Sequence, residues 1–142
     1  IEEPLKPVIN RGKEKALVLG TGGSSKAVCH VLAGMNIEFW PVSRVKKTGC
    51  LTYGAVDNSI FGNIRLIVNT TPLGMFPEIE GCPDIDYDLL GPQHILFDLV
   101  YNPEITAFLR KGQERGCTVL TGLKMLHLQA EKSWEIWNSD KF

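Results

Sequence analysis

Short apolar runs alternate with longer amphipathic stretches along this chain, and glycine or proline marks most of the boundaries. Lys15 to Leu19 (KALVL) is apolar and ends at glycine, the pattern of a strand buried on both faces in a parallel sheet. Ser24 to Ala33 places Ala27, Val28, Val31 and Leu32 at helical spacing, and Gly34 stops the helix. Ile37 to Val42 (IEFWPV) predicts a second strand, weakened by Pro41, which has no donor for a central ladder. Cys50 to Tyr53 predicts a short third strand, Arg65 to Asn69 (RLIVN) a fourth, Ile95 to Leu99 (ILFDL) a fifth and Cys117 to Leu120 (CTVL) a sixth. Glu104 to Arg115 predicts a helix with Ile105, Phe108 and Leu109 on one face, capped by Asn102 with Pro103 in its first turn. Gly122 to Trp137 predicts a last amphipathic helix with Leu123, Leu126, Ala130, Trp134 and Trp137 as its stripe. Pro4 to Arg11 reads as a short lead-in helix, and residues 78–93, rich in Pro, Gly and Asp, as surface loop.

Strands alternating with helices define an α/β fold: a doubly wound, mostly parallel six-stranded sheet with helices on both faces. The 142 residues suffice for one domain with a sizeable core, and no internal repeat interrupts them. No run of ~18 apolar residues is present, so no membrane span is expected. The net charge of -1 argues against nucleic acid or an anionic membrane as a general partner, so any anion site is built locally. The four cysteines, Cys29, Cys50, Cys82 and Cys117, form no CxxC pair, and no histidine stands at metal-ligand spacing from them. They read as free thiols of a reducing compartment, which predicts a cytoplasmic protein without a metal site. His30, His94 and His127 are scattered and read as surface or cap residues.

Gly20-Thr21-Gly22-Gly23-Ser24-Ser25 follows a strand and opens a helix, the context a dinucleotide-binding loop requires. Glycine lets a pyrophosphate approach the backbone, and the unpaired first-turn amides favour an anion. Ser25 replaces the third glycine of the G-x-G-x-x-G pattern. A tight turn with an N-cap serine is the competing reading, and a methyl donor's adenosyl group is another ligand for such a loop. The second strand then runs into Ser43-Arg44-Val45-Lys46-Lys47, with no acid to hold ribose hydroxyls and three cations in four residues. A 2′-phosphate needs such a cluster, which predicts NADP with Arg44 as the main clamp. The same cluster argues against a methyltransferase.

Further polar segments end later strands: Asn69-Thr70-Thr71-Pro72-Leu73-Gly74-Met75, then Asp98-Leu99-Val100-Tyr101-Asn102-Pro103, then Thr121-Gly122-Leu123-Lys124-Met125. Ligands of doubly wound sheets bind beyond these carboxyl ends. With GTGGSSKAV and SRVKK before them, and with TGLKMLHLQA last, they resemble one family, shikimate dehydrogenase, in its own order from Leu17 to Ala130. The resemblance implies a Rossmann-type domain in NADPH-dependent reduction of 3-dehydroshikimate to shikimate, within aromatic amino-acid biosynthesis. It implies that Gly20, Thr21, Gly22, Gly23 and Ser24 hold the pyrophosphate and that Ser43, Arg44, Lys46 and Lys47 surround the 2′-phosphate. It implies that Asn69, Thr70, Leu99, Gly122 and Met125 line the ribose and nicotinamide, and that Tyr101 and Gln129 reach the substrate.

The resemblance also implies an N-terminal substrate domain carrying a catalytic Lys–Asp pair, which nothing before Lys15 matches. Residues 1–14 are therefore expected to be a lead-in helix or linker from that domain, and 15–142 the NADP-binding domain. The chain is expected to hold no catalytic residue and to be inactive alone, with an apolar patch near Trp134 and Trp137. Ser43-Arg44-Val45 departs from the family's Asn-Arg-Thr, and the stretch from Arg44 to Asn69 is short enough to lack a full helix. A quinate or shikimate dehydrogenase-like protein and a non-catalytic NADP-binding module remain alternatives.

Overall fold

The computed structural model describes residues 15–122. The expected lead-in helix at Pro4, the C-terminal stripe with Trp134 and Trp137, and Met125, His127 and Gln129 all lie outside them. Six strands form one sheet: β1 (Lys15–Leu19), β2 (Glu38–Ser43), β3 (Leu51–Thr52), β4 (Leu66–Asn69), β5 (Ile95–Asp98) and β6 (Thr118–Leu120). Every pairing is parallel, and the spatial order is β3-β2-β1-β4-β5-β6. The chain winds outward from β1 to β3 and returns to pair β4 with β1. That reversal opens a crevice beyond the carboxyl ends of β1 and β4, where doubly wound sheets take ligands.

Cover on both faces explains why the central strands are apolar except at their ends. Ala16, Val18, Leu66, Val68, Ile95 and Phe97 point to one face with Val28 and Leu32 of α1 (Gly23–Gly34). Leu17, Leu19, Ile67 and Leu96 point to the other. There they meet Phe61 of α2 (Asn58–Asn63) and Phe108 and Leu109 of α3 (Ala107–Glu114). Helices thus cover both faces, as the apolar runs require.

Pro41 sits inside β2 without breaking it. Val42 accepts a bond from Gly20 N, so Val42 turns its polar backbone to β1 and Pro41 turns away from it. On that side β3 reaches only Val42 and Ser43, so the missing donor faces an open edge.

Several expected boundaries and faces shift. α1 buries Ser25, Val28 and Leu32, while Ala27 is exposed. The span between Arg44 and Asn69 holds a 3-10 turn at Tyr53–Ala55 and the one-and-a-half-turn α2, started by Asp57 accepting from Ser59 N and Ile60 N. α3 begins at Ala107, not Glu104, because Thr106 and not Asn102 caps it: Thr106 Oγ1 accepts from Leu109 N at 3.2 Å. Ile105 consequently lies outside the helix and is exposed. His94 is a core residue, 1% exposed: Nδ1 accepts from Gly91 N and Nε2 pairs with Phe61 O, both at 3.0 Å. The Gly91 amide can only donate, so this arrangement requires the Nε2–H tautomer.

Candidate functional site

β1 runs out into Gly20, which the fold holds at φ +110°. A Cβ there would stand 2.6 Å from Thr70 Oγ1 and 3.1 Å from Thr71 Cγ2. Glycine is therefore required twice over, by backbone conformation and by the close approach of the turn after β4. Thr70 completes that approach, both its N and its Oγ1 donating to Leu19 O, at 2.9 and 2.6 Å. Glycines 22 and 23 are different: no atom lies within 4 Å of a Cβ built on either. Open space, not packing, surrounds the helix start.

α1 starts at Gly22 with no side-chain cap, and its first backbone bond of α type is Lys26 N to Gly22 O at 3.2 Å. The amides of Gly23, Ser24 and Ser25 thus precede the helical ladder, where a helix of this length concentrates its positive end. Ser25, in the place of a third glycine, is 3% exposed on the sheet side, small enough for the helix to start close over β1.

The basic turn folds back on this loop. Lys47 Nζ donates to Thr21 Oγ1 at 3.2 Å. Ser43 is buried and shapes the turn, its Oγ accepting from Val45 N at 3.2 Å. Arg44 and Lys46 are exposed beside it. Burial raises the Tyr53 hydroxyl above its ordinary range, while the positive charge of Arg44 pulls it down. Cations and glycine loop thus share one rim of the crevice.

A cleft of about 430 Å³ continues from there, lined by Ser24, Thr70, Thr71, Met75, Phe76, Leu99 and Tyr101 among others. One wall is the loop after β4, the other the loop after β5, and Phe76 N bonds Asn102 O at 2.8 Å between them. Gly122 backs the second wall: a Cβ there would lie 2.6 Å from Leu99 O and 2.7 Å from Val100 O. The structure therefore brings Ser24, Thr70, Leu99 and Tyr101 to the cleft and Gly122 against its wall. Asn69 is fully buried, and its side chain is occupied by Thr71, Leu73 and Asp98.

Sequence reasoning missed Met75 and Phe76 as lining residues and missed the part of Asp98. Asp98 is fully buried at the end of β5, where burial pushes its carboxyl up to about 6 against hydrogen bonds from Thr106, Val100 and Asn69. The available signal was a charged residue ending an otherwise apolar strand. Among the described residues no group of three or more His, Cys, Asp and Glu is arranged to hold a metal, and no helix is long and apolar enough to cross a membrane.

The shikimate dehydrogenase (NADP⁺) of Methanococcus aeolicus is 36% identical over 139 residues, covering 88% of this chain. The chain belongs to the shikimate dehydrogenase family. It spans about half the length of the curated relatives it matches, 50% in that case. No protein-family model matches it. Among solved structures, shikimate dehydrogenase from Thermus thermophilus, in complex with NADP(H) and shikimate, superposes with a TM-score of 0.78 at 30% identity. It covers 96% of this chain and 54% of its own. The Listeria monocytogenes shikimate dehydrogenase, in complex with shikimate and NAD, gives 0.81 at 25% identity, covering 96% of this chain and 55% of its own. The Rossmann-type fold expected for the family is the fold observed.

Proposed function

We propose that this chain is the cofactor-binding half of an NADP-dependent shikimate dehydrogenase. The observation that carries the reading is the Lys47–Thr21 contact, which joins the basic turn to a glycine loop whose helix start is uncapped and open. A dinucleotide with an extra phosphate needs both anion sites on one rim.

In this reading the pyrophosphate lies against the loop from Gly20 to Ser24: the Gly20 amide is spent on Val42 O, so the open amides of Gly23 and Ser24 receive it, with Thr21 and Gly22 beside it. Ser43 shapes the turn from which Arg44, Lys46 and Lys47 take the 2′-phosphate. Arg44 contributes a planar fork and the lysines point charges. Thr70, Leu99 and Gly122 form the wall toward the ribose and nicotinamide, with Asn69 shaping it from behind; Met125, outside the described residues, is assigned to the same ligand by the family resemblance. Tyr101, 54% exposed at the cleft mouth, meets the substrate in this reading, and Gln129, outside the described residues, is assigned the same role by the family resemblance. The bound cofactor supplies the hydride, and the protein orients it and keeps bulk water from its face. Proton handling at the reacting oxygen falls to the Lys–Asp pair of the family's other half. Residues 1–14 then lead in from that half, the chain alone does not oxidise shikimate, and its place is the cytoplasm.

Calorimetric titration of the chain with NADP⁺ and, separately, NAD⁺ tests the reading. Preference for NADP⁺ supports it. Equal affinity for both would leave a dinucleotide site without the 2′-phosphate clamp, and binding of neither by a folded chain would reduce the glycine loop to a turn. Shikimate oxidation by the chain alone would overturn the assignment of catalysis to the other half.

A further inference from the structure

We propose that Asp98 is a positioning residue of the cofactor cleft, a single buried carboxylate that ties its two walls together. The inference rests on the cofactor reading of that cleft, and it deepens it.

The geometry is a relay. Asp98 Oδ1 accepts from Val100 N at 3.0 Å, which fixes the start of the loop that carries Tyr101. The same oxygen accepts from Asn69 Nδ2 at 3.1 Å. Asn69 Oδ1 in turn accepts from Thr71 N at 3.0 Å and Thr71 Oγ1 at 2.6 Å, and its amide also reaches Leu73 O at 3.5 Å. The other carboxylate oxygen accepts from Thr106 Oγ1 at 2.6 Å, whose own oxygen caps α3. One side chain therefore fixes the loop after β4, the loop after β5 and the start of the next helix.

A carboxylate suits this place because all three of its neighbours donate. An aliphatic residue would satisfy none of them, and an asparagine would turn its amide toward Thr106 while keeping an oxygen for Asn69 and Val100. Burying a charge here is unfavourable in itself, so the group's value lies in the donors it gathers. Helix capping alone does not account for it: Thr106 caps α3 with its own oxygen, whereas the bonds to Asn69 and Val100 lead to the cleft walls. Asn69 shares the task, holding Thr71 with one end of its side chain and Asp98 with the other. The second tie between them is the backbone bond from Phe76 to Asn102.

The test compares variants of the 142-residue chain by amide hydrogen exchange without nucleotide and by NADP⁺ titration. Asp98→Ala should quicken exchange at Thr71, Leu73 and Val100 about tenfold or more relative to β1, the loss expected when hydrogen bonds to a charged group go. NADP⁺ affinity should fall by a similar factor, and Asp98→Asn should recover part of both. Thr106→Ala, which loses the cap but keeps the wall ties, should leave the exchange of Thr71 and Leu73 unchanged. Asn69→Ala covers the case in which Asp98→Ala does not fold: exchange should quicken at Thr71 and Leu73 but not at Val100. Equal effects of Asp98→Ala and Thr106→Ala on Thr71 and Leu73, or unchanged exchange in Asn69→Ala, would overturn the proposal. A wild-type chain that binds no NADP⁺ would sink the cofactor reading, and the exchange comparison would still decide whether Asp98 holds the walls.

Discussion

Gly20 and Gly122 are the residues whose absence of a side chain is most tightly dictated. At Gly20 a methyl group meets Thr70 Oγ1 at 2.6 Å on a backbone that L residues avoid. At Gly122 it meets two backbone carbonyl oxygens, which cannot swing aside as a side chain can. Gly122→Ala should therefore cost about 1–3 kcal/mol and push out the Leu99–Val100 wall, read by urea unfolding and by weaker nucleotide binding. Arg44 works by charge instead. Arg44→Ala should weaken NADPH by about 1.5–3 kcal/mol and NADH much less, with unchanged thermal stability, since one charged hydrogen-bonded contact is lost. Equal weakening of both nucleotides would assign Arg44 to the fold. Asp98 gives a pH dependence of defined sign. Its folded value of about 6 exceeds the ordinary 3.8, so the folded chain holds the proton more tightly than the unfolded one. The stabilisation is full below the ordinary value and is lost as pH rises through about 6. Two pK units correspond to roughly 3 kcal/mol. Urea unfolding across that window should show wild type losing stability relative to Asp98→Asn, and a constant difference would refute it.

At the scale of elements, what could be read from sequence and what could not divide on physical lines. The strands were legible because β1, β4 and β5 are buried on both faces and carry polar residues only at their ends. The glycine loop and basic turn were legible because their chemistry is local. The start of α3 was not: Asn102-Pro103 and Thr106 are both acceptable starting signals, and Asp98, at the end of β5, favours Thr106 by bonding its hydroxyl. The buried stripe of α1 was misjudged at Ala27 because its first turn must approach the sheet through small Ser25. The relay from Asn69 to Asp98 joins residues 29 apart, so no short window of sequence contains it. Thr106→Ala should lower stability by about 2–4 kcal/mol, for the lost cap and for the donor withdrawn from the buried Asp98 carboxylate. A loss near zero, measured by thermal unfolding, would mean that another group takes over Leu109 N.

On the scale of the whole molecule, exposed apolar side chains are not scattered. Apart from Val45, the large exposed hydrophobics among the described residues are Leu73, Met75, Phe76, Ile79, Tyr101 and Ile105, all in the two loops that wall the cleft. The chain spans about half the length of the curated relatives it matches. Apolar residues held at the rim of a ligand cleft are suited to contact and contribute nothing to the core beneath. Phe76 lines the cleft with its ring 63% exposed, and its backbone amide bonds Asn102 O. Phe76→Ser should therefore change the stability of this chain by less than about 0.5 kcal/mol, because a surface side chain is removed and a backbone bond is kept. It should also reduce binding of an environment-sensitive hydrophobic dye and any self-association seen in sedimentation. A loss of several kcal/mol would place the phenyl ring in the core of the fold, and unchanged dye binding would mean that the rim is not the chain's apolar surface.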